Sequence, residues 1–429
     1  MVFCASLCAM GSYAQQNYLL TLEQMFALAD ENSKTLQAEN AATVEAQQAV
    51  KVARSGHLPD IDISLSASYL GNGTLMERNF SNAQGVKMPH FGNNFAVQAT
   101  QLIYGGGAVT NSVAMAKLGE EMAGVNREAA RSRIRFMLTG FYLDLYKLQN
   151  ALKVYDRNIE LAKVVIKDTK ARQEAGVALQ NDVTRYELQL KNLELVRKRV
   201  SNSVEILNYD LVTMLGLPAD VQIQPDTTLL NRTLPVEGLG YWQQQAESNA
   251  HPIKQSALAV EMSERGEQLA RAGRRPTVAL IAANNFDGPI TIEVPTINKN
   301  FNYWYVGVGV SFKLSSLYKA NKGIKQAQYK TALNRRRQDE VQEQTSLAVQ
   351  ADYTKYLEAY DEVSTLEKSV QLATENYSVV ENRYRNDIAL VTDMLDASNQ
   401  LLDAELQLAN ARINVIFNYY KLKNTSGNL

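Results

Sequence analysis

Proline is absent between Pro89 and Pro218, and again after Pro295. Proline deletes a helical hydrogen bond and clashes with the preceding turn, so these two windows are where uninterrupted helices fit. Gly107–Ala171 alone covers 65 residues, about 98 Å as one helix at ~1.5 Å per residue. The stretch from Tyr318 to Asn386 is of similar length. A globular domain rarely uses helices that long. The segments that follow carry heptads. Leu390, Met394, Ala397, Leu401, Ala404, Leu408, Ala411 and Val415 alternate spacings of four and three. From Leu179 to Met214 the same rhythm runs through Val183, Tyr186, Leu190 and Leu193, with Arg197 as its one polar break. Such a period predicts coiled-coil packing. For either helix taken alone, an ordinary helix core is the plainer alternative.

The chain also reads as two copies of one unit. "RSGHLPDI" (Arg54–Ile61) matches "RAGRRPTV" (Arg271–Val278) at an offset of 217. "RQEAGVALQNDV" (Arg172–Val183) matches "RYRNDIALVTDM" (Arg383–Met394) at an offset of 211, in the same order. A period of this kind takes precedence over local readings. It predicts a first repeat over 20–215 and a second over 241–425, each read as helix, strand, strand, long helix, helix. Residues 216–240, with Pro218, Pro225 and Pro235, read as a connector that stops the helices.

Four segments alternate as strands. In Asp60–Tyr69, Ile61, Ile63, Leu65, Ala67 and Tyr69 fall on one face and Asp62, Ser64, Ser66 and Ser68 on the other. Asn302–Leu314 sets Trp304, Val306, Val308, Val310 and Phe312 against Tyr303, Gly307, Gly309 and Ser311. Asn93–Tyr104 and Thr277–Phe286 are weaker cases. A small sheet covering a core would suffice for this pattern. Three features favour strands with one face to lipid. They have the length that a tilted strand needs to cross a bilayer. Aromatics such as Tyr69, Tyr104, Phe286 and Trp304 gather at their ends. The opposite faces carry Ser, Gly, Gln and Thr, suited to water. Four strands cannot close a barrel, and an open edge is forbidden in lipid. Closure therefore requires several chains: two would give eight strands and three would give twelve.

Composition narrows the function classes. The formal net charge of −1 gives no basic excess for nucleic acid. Cys4 and Cys8 are the sole cysteines. Residues 1–14 read as a signal peptide, apolar and ending in small-x-small at Ser12-Tyr13-Ala14. Its basic n-region is missing, since the first basic residue is Lys34; either the start is placed too late or the segment is a loose terminus. Ala5-Ser6-Leu7 before Cys8 fits a lipidation box poorly. The histidines His57, His90 and His251 stand singly, without metal-ligand spacing. No phosphate-binding loop or nucleophile elbow is present, so no enzyme, metal or cofactor is expected.

Several stretches together resemble the TolC-like outer membrane efflux proteins. They are "LTLEQMFALADENSKTL", "ARSGHLPDIDISLSASY", "QLIYGGG", and the paired "ALQNDV" and "ALVTDML", running from Leu20 to about Leu422. The resemblance implies an α+β membrane protein in which four transmembrane strands per chain complete a trimeric twelve-stranded barrel. Long coiled-coil helices would continue it as a tube through the periplasm. It implies an outer-membrane duct of an efflux or secretion system, working with a periplasmic adaptor and an inner-membrane transporter. It also implies a gate where the tube narrows. Asp393 and Asp396 match two acidic gate positions, on one helix face at i,i+3. Tyr384 and Asp182 match latch residues, with Tyr384 and Asp182 as a neutral pair and Arg383 or Arg385 as substitutes. Where the family pattern has a basic residue this chain has Ala389, so weaker closure is expected. For Asp393 the plain alternative is a first-turn helix acid. For the whole chain, the alternatives are a structural periplasmic coiled-coil or adaptor protein, or an unpartnered porin.

Overall fold

The computed structural model describes residues 16–226, 228, 234–235, 237–386 and 388–429. The expected signal peptide at residues 1–14, with Cys4 and Cys8, lies outside them. The chain divides into two units. One takes in the chain up to Ala41 together with Val125–Lys254 and Glu340–Leu429, and the other takes in Ala42–Gly124 and Gln255–Asp339. Strand β1 (Gln16–Leu20), helices α1 (Leu22–Asn32) and α2 (Lys34–Ser55), and strands β2 (Asp60–Tyr69), β3 (Gly73–Leu75), β4 (Gln84–Val86) and β5 (Phe91–Tyr104) come first. Then follow α3 (Ala108–Glu174), α4 (Gln180–Leu215), β6 (Val221–Pro225), α5 (Leu239–Asn249) and α6 (His251–Ala272). Strands β7 (Thr277–Gly288) and β8 (Phe301–Ser311), then α7 (Ser316–Arg385) and α8 (Val391–Thr425), complete the chain. The proline-free windows hold the long helices, of 67 residues in α3 and 70 in α7.

In the second unit, β2, β5, β7 and β8 form one antiparallel sheet in the order β2-β5-β7-β8. Register aligns the faces that the alternation predicted. Ile61 lies beside Ala99, Ala99 beside Ala282, and Ala282 beside Val306. On the opposite face Asp62, Gln98, Ala283 and Tyr305 form a row, and the Asn94 amide meets the Asp287 carboxylate. Among the described residues, the apolar side chains that β2 and β8 contribute to the apolar face are exposed. Leu65 is 79% exposed, Val306 61% and Val308 69%. Among the described residues, both β2 and β8 are paired on one side only.

The sheet ends at a glycine bend. Gly106 takes φ 66°, and a Cβ there would sit 2.7 Å from the Ala272 carbonyl oxygen. Arg275 Nη1 donates to the Gly106 carbonyl at 2.9 Å. Both the left-handed angle and the close approach select glycine.

The first unit has a conventional core. Met25, Leu138, Tyr142, Leu211, Ile223 and Ile413 are fully or almost fully buried within it. The connector read at 216–240 is not all loop, because β6 pairs in parallel with β1. Its alternation, Val221 and Ile223 buried against Gln222 and Gln224 exposed, is real but only five residues long, and its partner lies some two hundred residues earlier. Tyr142 closes this pair: its hydroxyl donates to the Leu20 carbonyl and accepts from the Asp226 amide, both at 2.7 Å. Along α8 the heptad positions Met394, Ala397, Ala404 and Ala411 are buried, as are Val183, Tyr186 and Leu193 of α4. Among the described residues no helix is long and apolar enough to cross a membrane.

Candidate functional site: the turns between paired helices

The second pair of duplicated segments, Arg172–Val183 and Arg383–Met394, lies at the two turns that join α3 to α4 and α7 to α8. Both helices stop in the same way. The Val177 amide donates to the Arg172 carbonyl at 2.9 Å, and the Ile388 amide to the Arg383 carbonyl at 2.8 Å. These bonds tie the turns back onto the last helical residues, in the manner of a Schellman closure. The next helices also start alike. The Leu179 amide donates to the Asp182 carboxylate at 3.0 Å, and the Leu390 amide to the Asp393 carboxylate at 3.0 Å. An acid in the first turn meets the positive helix end. Asp393 is therefore a helix-start acid, and Asp182 is its repeat counterpart at the same offset of 211.

Asp396 is what distinguishes the second turn. Its carboxylate accepts from Gln400 at 2.9 Å, and its counterpart at the same offset is Arg185. Asp393 and Asp396 are both exposed, three residues apart on α8. The turns also present apolar side chains to solvent: Val177 and Leu179 on one, Ile388 and Leu390 on the other, each about two-thirds exposed.

Beneath the turns, Ile166, Tyr186, Tyr384, Val391 and Met394 form a small buried cluster, with Ala389 packed against it. The expected pair of Tyr384 with Asp182 is not formed. Asp182 is occupied by its own helix start. The Tyr384 hydroxyl lies 3.0 Å from Thr169 Oγ1. Because the Thr169 hydroxyl itself donates to the Val165 carbonyl, Tyr384 is the donor. Arg385, a possible substitute, pairs instead with Glu381 on its own helix at 2.6 Å. Arg172 of α3 reaches the end of α7, donating to the carbonyls of Tyr384 at 3.3 Å and Arg385 at 3.0 Å. Its guanidinium lies 5.2 Å from the centre of the Tyr384 ring.

Burial disfavours the charged form of Tyr186 and Tyr377. Burial pushes the Tyr186 hydroxyl far above its usual range, with Tyr384, Tyr377 and Asp182 adding to the effect. Burial also raises Tyr377 to about 12. Both hydroxyls are buried without a well-formed hydrogen bond. Between α3 and α4, Lys170 pairs with Glu187 at 2.7 Å, while Gln189 of α4 donates to Asn399 of α8 at 2.6 Å. Thr169 and Arg172 were not foreseen from sequence. Arg172 had a signal, as it opens the duplicated segment opposite Arg383; Thr169 had none.

Comparison with known proteins gives a consistent result. The profile of the family described as outer membrane efflux protein matches residues 26–217 and 242–428. The outer membrane protein TolC of Salmonella enteritidis is 22% identical over 324 residues, which is 73% of this chain and 65% of that protein. The outer-membrane channel OprN superposes with a TM-score of 0.78 at 16% identity, covering 95% of this chain and 90% of the other. The outer membrane protein VceC of Vibrio cholerae does so with a TM-score of 0.77 at 16% identity, covering 95% and 96%. At these identities the structural likeness is one of fold.

Proposed function

The chain belongs to the outer membrane efflux protein family, and from that premise we propose that it is the outer-membrane duct of a tripartite efflux or secretion system. Its location is the outer membrane. One observation carries the reading. A four-stranded sheet leaves an apolar face uncovered and two edges unpaired. In water such a face would associate and such edges would template further pairing. In lipid the face is at home, and the edges must be closed by other copies. Three chains close twelve strands, and the helices continue the duct into the periplasm.

The two-copy organisation, 20–215 and 241–425, is part of this proposal. Matched helix lengths support it: 11 and 11 residues in α1 and α5, 22 and 22 in α2 and α6, 36 and 35 in α4 and α8. In this reading Asp393 and Asp396 of each chain line the narrow end and favour cations. Tyr384 contributes to closure from the cluster beneath the turns. Asp182 contributes indirectly, by starting α4 at the right residue. A periplasmic adaptor and an inner-membrane transporter are the partners. The exposed Val177, Leu179, Ile388 and Leu390 offer the adaptor an apolar contact.

The test is single-channel conductance of the purified, cross-linkable oligomer in a planar bilayer, with a multivalent cation added on the helical side. The expected result is a small cation-selective conductance, blocked by that cation and relieved by Asp393→Asn with Asp396→Asn. Protein that never enters the bilayer would return the chain to the coiled-coil or adaptor alternative.

A further inference from the structure

The end of α7 is held by a side chain from another helix. An α-helix leaves its last carbonyls without intrahelical partners. In α7, those of Asn382 and Arg383 are taken by amides of the turn, Asn386 and Ile388. The next two, of Tyr384 and Arg385, are taken by the two Nη atoms of Arg172. Asp168, one turn earlier on α3, stands 3.6 Å from Arg172 Nε and orients the fork. A cation suits the negative end of a helix, and charge-assisted bonds are stronger than the neutral Tyr384–Thr169 bond beside them. The Arg172 side chain keeps 19% of its surface in solvent. Water can therefore replace its contacts when they break, which makes the tie reversible.

Resting on the channel reading, we propose that Arg172 is the positioning residue that keeps the gate closed. It clamps the α7–α8 turn to α3, so the closure expected from a basic residue at position 389 comes from the first repeat instead. Opening requires Arg172 to release both carbonyls. The α3–α4 and α7–α8 hairpins are then free to part.

The experiment compares wild type, Arg172→Ala, Arg172→Lys and Tyr384→Phe by two readouts. One is single-channel conductance in planar bilayers. The other is amide hydrogen exchange in the last turn of α7. Arg172→Ala is expected to raise mean conductance several-fold and to speed last-turn exchange about tenfold or more, leaving exchange in the middle of α4 unchanged. Lysine holds one carbonyl at a time and cannot form the fork, so Arg172→Lys falls between. Tyr384→Phe moves both readouts less. A conducting wild type with Arg172→Ala unchanged in both readouts overturns the clamp and leaves the channel standing. A non-conducting wild type whose α7 end still loosens in Arg172→Ala overturns the channel and leaves the clamp. Faster exchange throughout the chain would make Arg172 a general structural residue and overturn its role in closure.

Discussion

Val306 sits at the centre of β8, the outermost strand of the sheet, and is 61% exposed. In a water-soluble protein, replacing it by arginine would be nearly free, within about 0.5 kcal/mol, as for most surface positions. In a membrane barrel the same change places a cation at mid-bilayer depth on the lipid face, at a cost of about 2–4 kcal/mol. Nothing nearby compensates: its cross-strand neighbour is Ala282, beyond which lie Ala99 and Ile61. Along the strand the same face continues with Trp304 and Val308. At about 1.4 kcal/mol per tenfold, the folding equilibrium in vesicles falls by roughly thirty- to seven-hundred-fold. Ser64→Arg is the control, at the middle of β2 on the polar face, where water solvates the charge. The assay is denaturant titration of the full chain refolded into lipid vesicles, followed by tryptophan fluorescence and gel mobility. Equal stability of Val306→Arg and wild type, or equal losses for the two arginine variants, would refute the assignment of that face to lipid.

Other expectations follow from the first unit. Asp393→Asn leaves an oxygen that can accept from the Leu390 amide but removes the negative charge at the positive helix end, and is expected to cost about 0.3–1 kcal/mol; Asp396→Asn, which makes no such bond to the helix start, is expected to leave thermal stability unchanged while lowering cation selectivity, a split that melting curves and reversal potentials measure together. Burial tends to raise the Asp30 carboxyl, but hydrogen bonds from Arg131 and Arg135, both at 2.5 Å, outweigh it and hold it below its ordinary value. Its contribution is therefore present above the unfolded-state pKa of about 3.9 and disappears as pH falls through the lower folded value, so Asp30→Asn should flatten the acid limb of stability against pH and leave the neutral-to-basic limb parallel to wild type. Tyr142→Phe strips one partner from both the Leu20 carbonyl and the Asp226 amide; because those two groups also lie 3.3 Å from each other, the expected loss is near the low end of the usual penalty, about 1 kcal/mol, read by chemical denaturation.

The local periods were legible because they repeat over many residues. Proline-free windows located α3 and α7 to within a few residues, and strict alternation located β2 residue for residue. Short or distant relationships were not legible. Strand β6 is five residues long, and only its partner β1, far away in sequence, makes it a strand. At the turns, the resemblance to the efflux family pointed to Asp182, Tyr384, Asp393 and Asp396, all of which lie in the duplicated segments. It could not say which atoms they would meet. Asp182 and Asp393 bond to the nearest free amides, those three residues earlier, because an unpaired helix-start donor captures a carboxylate before a distant tyrosine can.

What the sequence by itself determined is the set of faces and lengths: which residues share a strand face and where helices run unbroken. These follow from backbone periodicity, which any residue reads from its own neighbours. What only the tertiary structure decided is the pairing between hairpins. Arg172 instead of a residue near 389 holds the end of α7, and Thr169 instead of Asp182 receives the Tyr384 hydroxyl. Those choices depend on which side chains helix packing brings within about 3 Å of an unsatisfied carbonyl or hydroxyl, a distance that no spacing along one helix encodes.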